Sequence, residues 1–136
     1  MEYSSSCSCG KTRVTLTLPQ SIEEYTPRAC DCDFCSKRKA SYISDPNGVF
    51  EITRTQNIEQ LLQGSKQATF WQCKDCDNLI AVTYESEKGL QGAVNASLFT
   101  EKYNIQEPIS VSPKTLSPDE KRERWTAAWM QVQLGE

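Results

Sequence analysis

A mainly β protein with an α-helix near its C-terminus is the fold class that three features of this 136-residue sequence predict. Arg13-Val14-Thr15-Leu16-Thr17-Leu18 alternates polar and apolar residues, which places Val14, Leu16 and Leu18 on one face of a strand. Five further short apolar runs lie between turn-forming residues. A helical pattern then opens at Ser117. The length suits one domain over 1–136, long enough to bury a core.

The elements follow in order. Pro19 ends the first strand, since proline cannot continue a ladder. Ala40–Ser44 and Val49–Thr53 read as strands separated by Asp45-Pro46-Asn47-Gly48, whose residues accept tight turn geometry. Ile58–Leu62 is apolar and short, so its pattern fits helix and strand equally. Ala68–Gln72, Leu79–Tyr84 and Leu90–Asn95 complete the strand candidates. Pro108 and Pro113 interrupt an extended stretch. The helix is expected near 117–132: Ser117 is a good N-cap, Pro118 suits the first helical position, and Asp119 and Glu120 complement the positive end of the dipole. Trp125, Trp129 and Val132 recur at helical spacing, a face that either packs on the sheet or docks a protein partner.

Charge narrows the function classes. The formal charge is −3, and the basic residues cluster only locally, at Lys37-Arg38-Lys39 and Lys121-Arg122, so no nucleic-acid partner is expected. The N-terminal Met1-Glu2-Tyr3-Ser4-Ser5-Ser6 carries no signal pattern, and no apolar run is long enough to span a membrane. A cytoplasmic protein is expected, with a nuclear location left open. In a reducing compartment cysteines point to metal rather than to disulfides, and seven cannot all pair within one chain.

The cysteines fall in three clusters: Cys7-Ser8-Cys9, Cys30-Asp31-Cys32-Asp33-Phe34-Cys35 and Cys73-Lys74-Asp75-Cys76. Thiolates two or three residues apart can grip one ion from a single turn, and a remote pair completes a tetrahedron. With no histidine in the chain, sulfur must supply most of the ligands, and zinc is the metal such sets favour. Cys7 and Cys9 with Cys73 and Cys76 make a closed four-sulfur site. Cys30, Cys32 and Cys35 then bind a second ion with three ligands, leaving a position open as catalytic zinc sites do, unless Asp31 or Asp33 closes it. A division in which Cys30, Cys32 and Cys35 share an ion with Cys73 or Cys76 also satisfies the spacing. Apolar residues make up only 38% of the chain, so metal can supply part of the folding free energy.

These motifs, in this order, resemble the glutathione-dependent formaldehyde-activating enzyme family, which includes the centromere protein V group. The resemblance rests on Ser6-Cys7-Ser8-Cys9-Gly10, on Cys30 through Lys37 and on Phe70-Trp71-Gln72-Cys73-Lys74-Asp75-Cys76, with Gly92-Ala93-Val94-Asn95 fitting a later strand. It covers 6–98 and leaves 99–136 as a divergent tail. It implies a β-tent fold of small antiparallel sheets. It also implies a structural zinc on Cys7, Cys9, Cys73 and Cys76, and a second zinc on Cys30, Cys32 and Cys35. The implied activity joins formaldehyde and glutathione, a carbon–sulfur lyase reaction read in reverse. The chain departs from the family in having Asp31 where histidine is frequent, Asp77 where glycine is usual, and no histidine beside its C-terminal tryptophans.

Three functions follow from this reading. In the first, the chain is a carbon–sulfur lyase-like enzyme in which Cys30, Cys32 and Cys35 present a thiol, such as glutathione, to a small aldehyde. Lys37, Arg38 or Lys39 would bind a carboxylate or the developing oxyanion, although a solvated loop is the simpler account of the triplet. In the second, the chain is a non-catalytic scaffold held by zinc. In the third, it is a redox sensor that releases metal when its thiolates oxidise.

Overall fold

The computed structural model describes residues 1–62, 67–112 and 115–135. Its strands are β1 (Glu2–Ser6), β2 (Arg13–Thr17), β3 (Arg28–Cys30), β4 (Tyr42–Ile43), β5 (Val49–Thr53), β6 (Ile58–Leu62), β7 (Thr69–Cys73), β8 (Leu79–Ser86), β9 (Gly89–Asn95), β10 (Ile109–Val111) and β11 (Met130–Leu134). Two α-helices accompany them, α1 (Asp33–Lys37) and α2 (Pro118–Ala128). The protein is mainly β, as the alternation predicts.

The strands form one hydrogen-bonded sheet whose three limbs meet on β9. Along one edge β9 pairs with β8, which continues into β7 and β6. Along its other edge, Gln91 and Gly92 pair with β11, which leads through β5 to β2 and β1. Farther along that edge, Val94 and Asn95 pair with β4, leading to β3 and β10. The pairings are antiparallel except β5–β11 and β3–β10, which are parallel.

The core follows from the period-2 pattern. Val14 and Leu16 face inward from β2, directly opposite Ile52 and Phe50 of β5, and all four are buried. Such cross-strand apolar pairs are the basic unit of sheet stability. Leu18, Ile22, Ile43, Val94 and Phe99 extend the same cluster. Gly92 lies where β9 presses on Phe50, and a Cβ there would collide with the Val82 carbonyl and meet Phe50 Cζ at 3.1 Å.

The turn at Asp45–Gly48 forms as predicted. The Gly48 N–H donates to the Asp45 carbonyl at 2.8 Å, and the Asn47 N–H donates to Asp45 Oδ1 at 2.9 Å. Ile58–Leu62 resolves as a strand because β7 offers it a full antiparallel ladder. β1, β3, β10 and α1 have no counterpart in the pattern-based reading. Pro108 immediately precedes β10, and Pro113 lies outside the described residues.

The helix is shorter than 117–132 and gives way to a strand. Ser117 and Glu120 form the reciprocal capping box with Pro118 behind the cap, as expected. The helix ends at Ala128, and Trp129 turns extended at φ −83°, ψ 155°. Met130-Gln131-Val132-Gln133-Leu134 then enters the sheet between β5 and β9. Val132 therefore belongs to a strand, and Met130, fully buried, fills the core. Trp125 and Trp129 stack at 4.8 Å and pack on the Val82–Ala93 cluster, so this helical face meets the sheet. Among the described residues no helix is long and apolar enough to cross a membrane.

Candidate metal centres

Two turns bring four cysteines together. Cys7 and Cys9 occupy the β1–β2 turn, where Gly10 takes the left-handed conformation (φ 77°) and donates to the Cys7 carbonyl at 2.9 Å. Cys73 and Cys76 occupy the β7–β8 turn, where Asp77 takes the same backbone conformation (φ 59°) and donates to the Cys73 carbonyl at 2.9 Å. In each turn the left-handed residue directly follows the second cysteine. Glycine adopts that geometry freely, and Asp is among the few other residues that tolerate it.

The two turns are tied to each other through polar side chains. Asn78 Oδ1 accepts from the Ser8 N–H at 2.6 Å and from the Ser8 hydroxyl at 2.7 Å. Lys11 and Asp75 form an exposed ion pair at 3.1 Å. Cys9 Sγ lies 3.5 Å from both Cys7 Sγ and Cys73 Sγ, and all four sulfurs lie within 4.8 Å of one another. Zn–S bonds of ~2.3 Å in a tetrahedron put the sulfurs about 3.8 Å apart, so the set fits one zinc ion. Burial pushes the Cys76 thiol up, but the N–H groups of Cys9 and Asn78 and the neighbouring thiols outweigh it and bring it to about 7.

The second cluster forms around α1. Cys30 ends β3, Cys32 is the N-cap of α1, and Cys35 lies buried within the helix. The Cys32 sulfur accepts the Cys35 N–H at 3.4 Å, the role usually taken by a serine or aspartate oxygen. The helix closes on a Schellman motif in which Lys39 N–H donates to Ser36 and Ala40 N–H to Cys35. Lys39 is left-handed at φ 51°, where glycine is the usual occupant. The three sulfurs lie within 4.8 Å of one another, and among the described residues no carboxylate joins that set. The Asp31 carboxylate instead accepts from the Ser112 hydroxyl, while Asp33 is exposed at the start of α1. Three thiols with no carboxylate in their set among the described residues fit an ion that retains an open position.

The three thiols are electrostatically unequal. A hydrogen bond from Cys35 holds Cys30 down at about 6, against the opposing effect of burial and aided by the Cys32 N–H. Cys35 is pushed up, first by sharing its proton with Cys30 and then by burial. The Tyr42 hydroxyl sits 3.2 Å from Cys35 Sγ, and burial together with the nearby sulfur charge keeps its proton in place.

A cleft of about 370 Å³ opens beside this cluster, with Cys30, Cys35, Asp31, Lys39 and Ser41 in its wall. Of the basic triplet, Lys39 alone lines that cleft. Lys37 is exposed on α1, and Arg38 is engaged elsewhere. The Arg38 guanidinium lies 3.7 Å from the Phe34 ring centre and donates to Gln72 Oε1 at 2.6 Å and to the Phe34 carbonyl at 3.0 Å. It thereby braces α1 against β7, the strand that ends in Cys73. Tyr42, Gln72 and Asn78 were not expected at either centre. Tyr42 and Asn78 lie outside the cysteine motifs, Gln72 lies inside one without being a ligand, and only the fold brings Tyr42 and Gln72 to α1.

The family model for glutathione-dependent formaldehyde-activating enzymes matches residues 2–115. A crystal structure of a Rhodobacter sphaeroides protein is similar in fold, with a TM-score of 0.56 and 17% identity over 98% of this chain and 100% of that one. No curated protein matches the chain. With its motifs, paired turns and family match in agreement over most of its length, the chain belongs to the glutathione-dependent formaldehyde-activating enzyme family.

Proposed function

We propose that the protein is a zinc-dependent, carbon–sulfur lyase-like enzyme handling the adduct of glutathione, or another thiol, with a small aldehyde. The observation that carries this reading is the three-thiol cluster, whose Cys30 and Cys35 line a cleft and whose set contains no carboxylate among the described residues. In this reading Cys7, Cys9, Cys73 and Cys76 hold a structural zinc, and Cys30, Cys32 and Cys35 hold a second, catalytic one. Zinc bound at the second cluster supplies Lewis acidity and favours the thiolate form of a coordinated thiol.

The chain's own residues do the remaining work. The cleft has the volume of a small-molecule site. Lys39 at its rim attracts a substrate carboxylate, and the wall at Cys30 and Cys35 positions the reacting sulfur. In the forward reaction a carbon–sulfur bond forms and the carbonyl π bond breaks. The thiol proton ends on the former carbonyl oxygen, so atoms and charge balance without a further reactant. Trp125 of α2 and Trp129 just beyond it are half-buried on the sheet, so a protein partner at this helix would meet its charged outer face.

Cys32→Ser gives a direct test, because serine preserves the N-cap of α1 while removing the thiolate. Native mass spectrometry of the metal-replete protein is expected to show two zinc ions and a glutathione adduct. The variant should keep one zinc and lose the adduct. An adduct of undiminished intensity in the variant would reject the site, and its absence from both proteins would favour the scaffold reading.

A further inference from the structure

Three sulfurs around one divalent ion carry more negative charge than the ion neutralises, and this cluster is only partly open to water. Excess charge of this kind is relieved by hydrogen bonds from outside the ligand set, which tune metal and ligands together. Two donors come from the motif's own backbone, the N–H of Cys32 toward Cys30 and the N–H of Cys35 toward Cys32. Cys35, the most buried of the three, has its hydrogen-bond partner in a side chain outside the motif: the Tyr42 hydroxyl, at 3.2 Å.

The placement of Tyr42 is built into the sheet. Its backbone is held from both sides, opposite Arg28 of β3 and Asn95 of β9. Its ring packs against two buried clusters, one containing Cys35, Ala40 and Leu79 and the other Ala68, Val82 and Ala93. The apolar body of the ring is therefore fixed, and its polar tip meets sulfur. A sulfur that holds a metal carries no proton, so in the loaded protein the phenol is the donor.

We infer that Tyr42 is a positioning residue of the second centre, donating a hydrogen bond to the Cys35 thiolate and withdrawing charge from the three-sulfur set. This rests on the reading that Cys30, Cys32 and Cys35 hold a metal. It also answers a weakness of that reading, because three thiolates make an electron-rich ion and hence a poor Lewis acid. A phenol drawing on one of them partly restores the ion's acidity. Phenylalanine at this position would keep the packing and remove only the hydrogen bond.

The test uses the full chain loaded with cobalt(II) at both centres, comparing wild type with Tyr42→Phe. Removing the hydrogen bond makes the Cys35 sulfur a better electron donor, so part of the sulfur-to-cobalt charge-transfer absorption should move to longer wavelength. Tyr42 does not contact the four-thiol centre, so the difference spectrum isolates the second one. Competition with a chelator should show about tenfold weaker binding of one of the two ions, the scale on which outer hydrogen-bond partners act. Site-specific 3-fluorotyrosine at position 42, a stronger donor of nearly the same shape, should move the band the opposite way. This second replacement separates donor strength from any loss of folding in the phenylalanine variant.

Opposite shifts in the two proteins establish the role. Two bound cobalt ions with an unmoved band in both would overturn it while leaving the reading of the centre intact. Binding of only one cobalt ion, at the four-thiol centre, would overturn both.

Discussion

At the scale of single residues, Lys39 shows a conflict between backbone and side chain. Its left-handed conformation closes α1 at a position that favours glycine, yet its side chain lines the cleft beside Cys30 and Cys35. Strain retained at such a position is commonly tied to function. Lys39→Gly should therefore leave stability unchanged or raise it by up to ~1 kcal/mol, because relief of strain offsets the added freedom of the unfolded chain. It should weaken glutathione binding by up to about fivefold, the upper worth of one exposed charge pair at about 1 kcal/mol. Denaturant unfolding and equilibrium binding of glutathione check the two halves separately. An unchanged affinity would remove Lys39 from the site. The cysteine clusters were legible in sequence because close spacing fixes which thiols share a turn. Asp77, which departs from the family's usual glycine, is also explicable, since the turn demands a left-handed backbone that Asp accepts. Tyr42 was not legible, because its approach to Cys35 depends on the register of β4 against β3 and β9.

At the scale of elements, β9 carries the heaviest constraint, since three limbs of the sheet meet on it. Gly92 allows that convergence by leaving room for the Val82 carbonyl and for Phe50. Gly92→Ala should cost about 1–3 kcal/mol through overpacking, read as a lower urea midpoint with an unchanged slope. A midpoint within error of wild type would show that the limbs can part at little cost. Strands such as β2 and β5 were legible because one face meets the core and the other meets solvent, which writes a period of two into the sequence. β1 is polar along its length, and β3 and β10 are too short to write any period. β11 was hidden by competition: Trp125, Trp129 and Val132 fit a helix, while Met130 to Leu134 alternate as a strand. The buried position of Met130 between β5 and β9 decided in favour of the sheet.

At the scale of the whole molecule, the four-thiol centre joins two turns distant in sequence, with Cys9 and Cys73 separated by 64 positions. Metal held there links the β1–β2 hairpin to the β7–β8 hairpin, so its binding energy becomes folding energy. A strong chelator is expected to abolish the near-ultraviolet dichroism of the buried Trp71 and to lower the melting temperature, with recovery on adding zinc. Full retention of both signals after verified metal removal would show that the apolar core suffices alone. β11 adds a consequence of a different kind. It supplies the strand between β5 and β9 yet follows both in chain order, with Gln131 beside Val49 and opposite Gln91. During synthesis on the ribosome, β5 and β9 emerge with a gap between them that only a later segment can fill. The nascent chain must therefore wait with exposed strand edges.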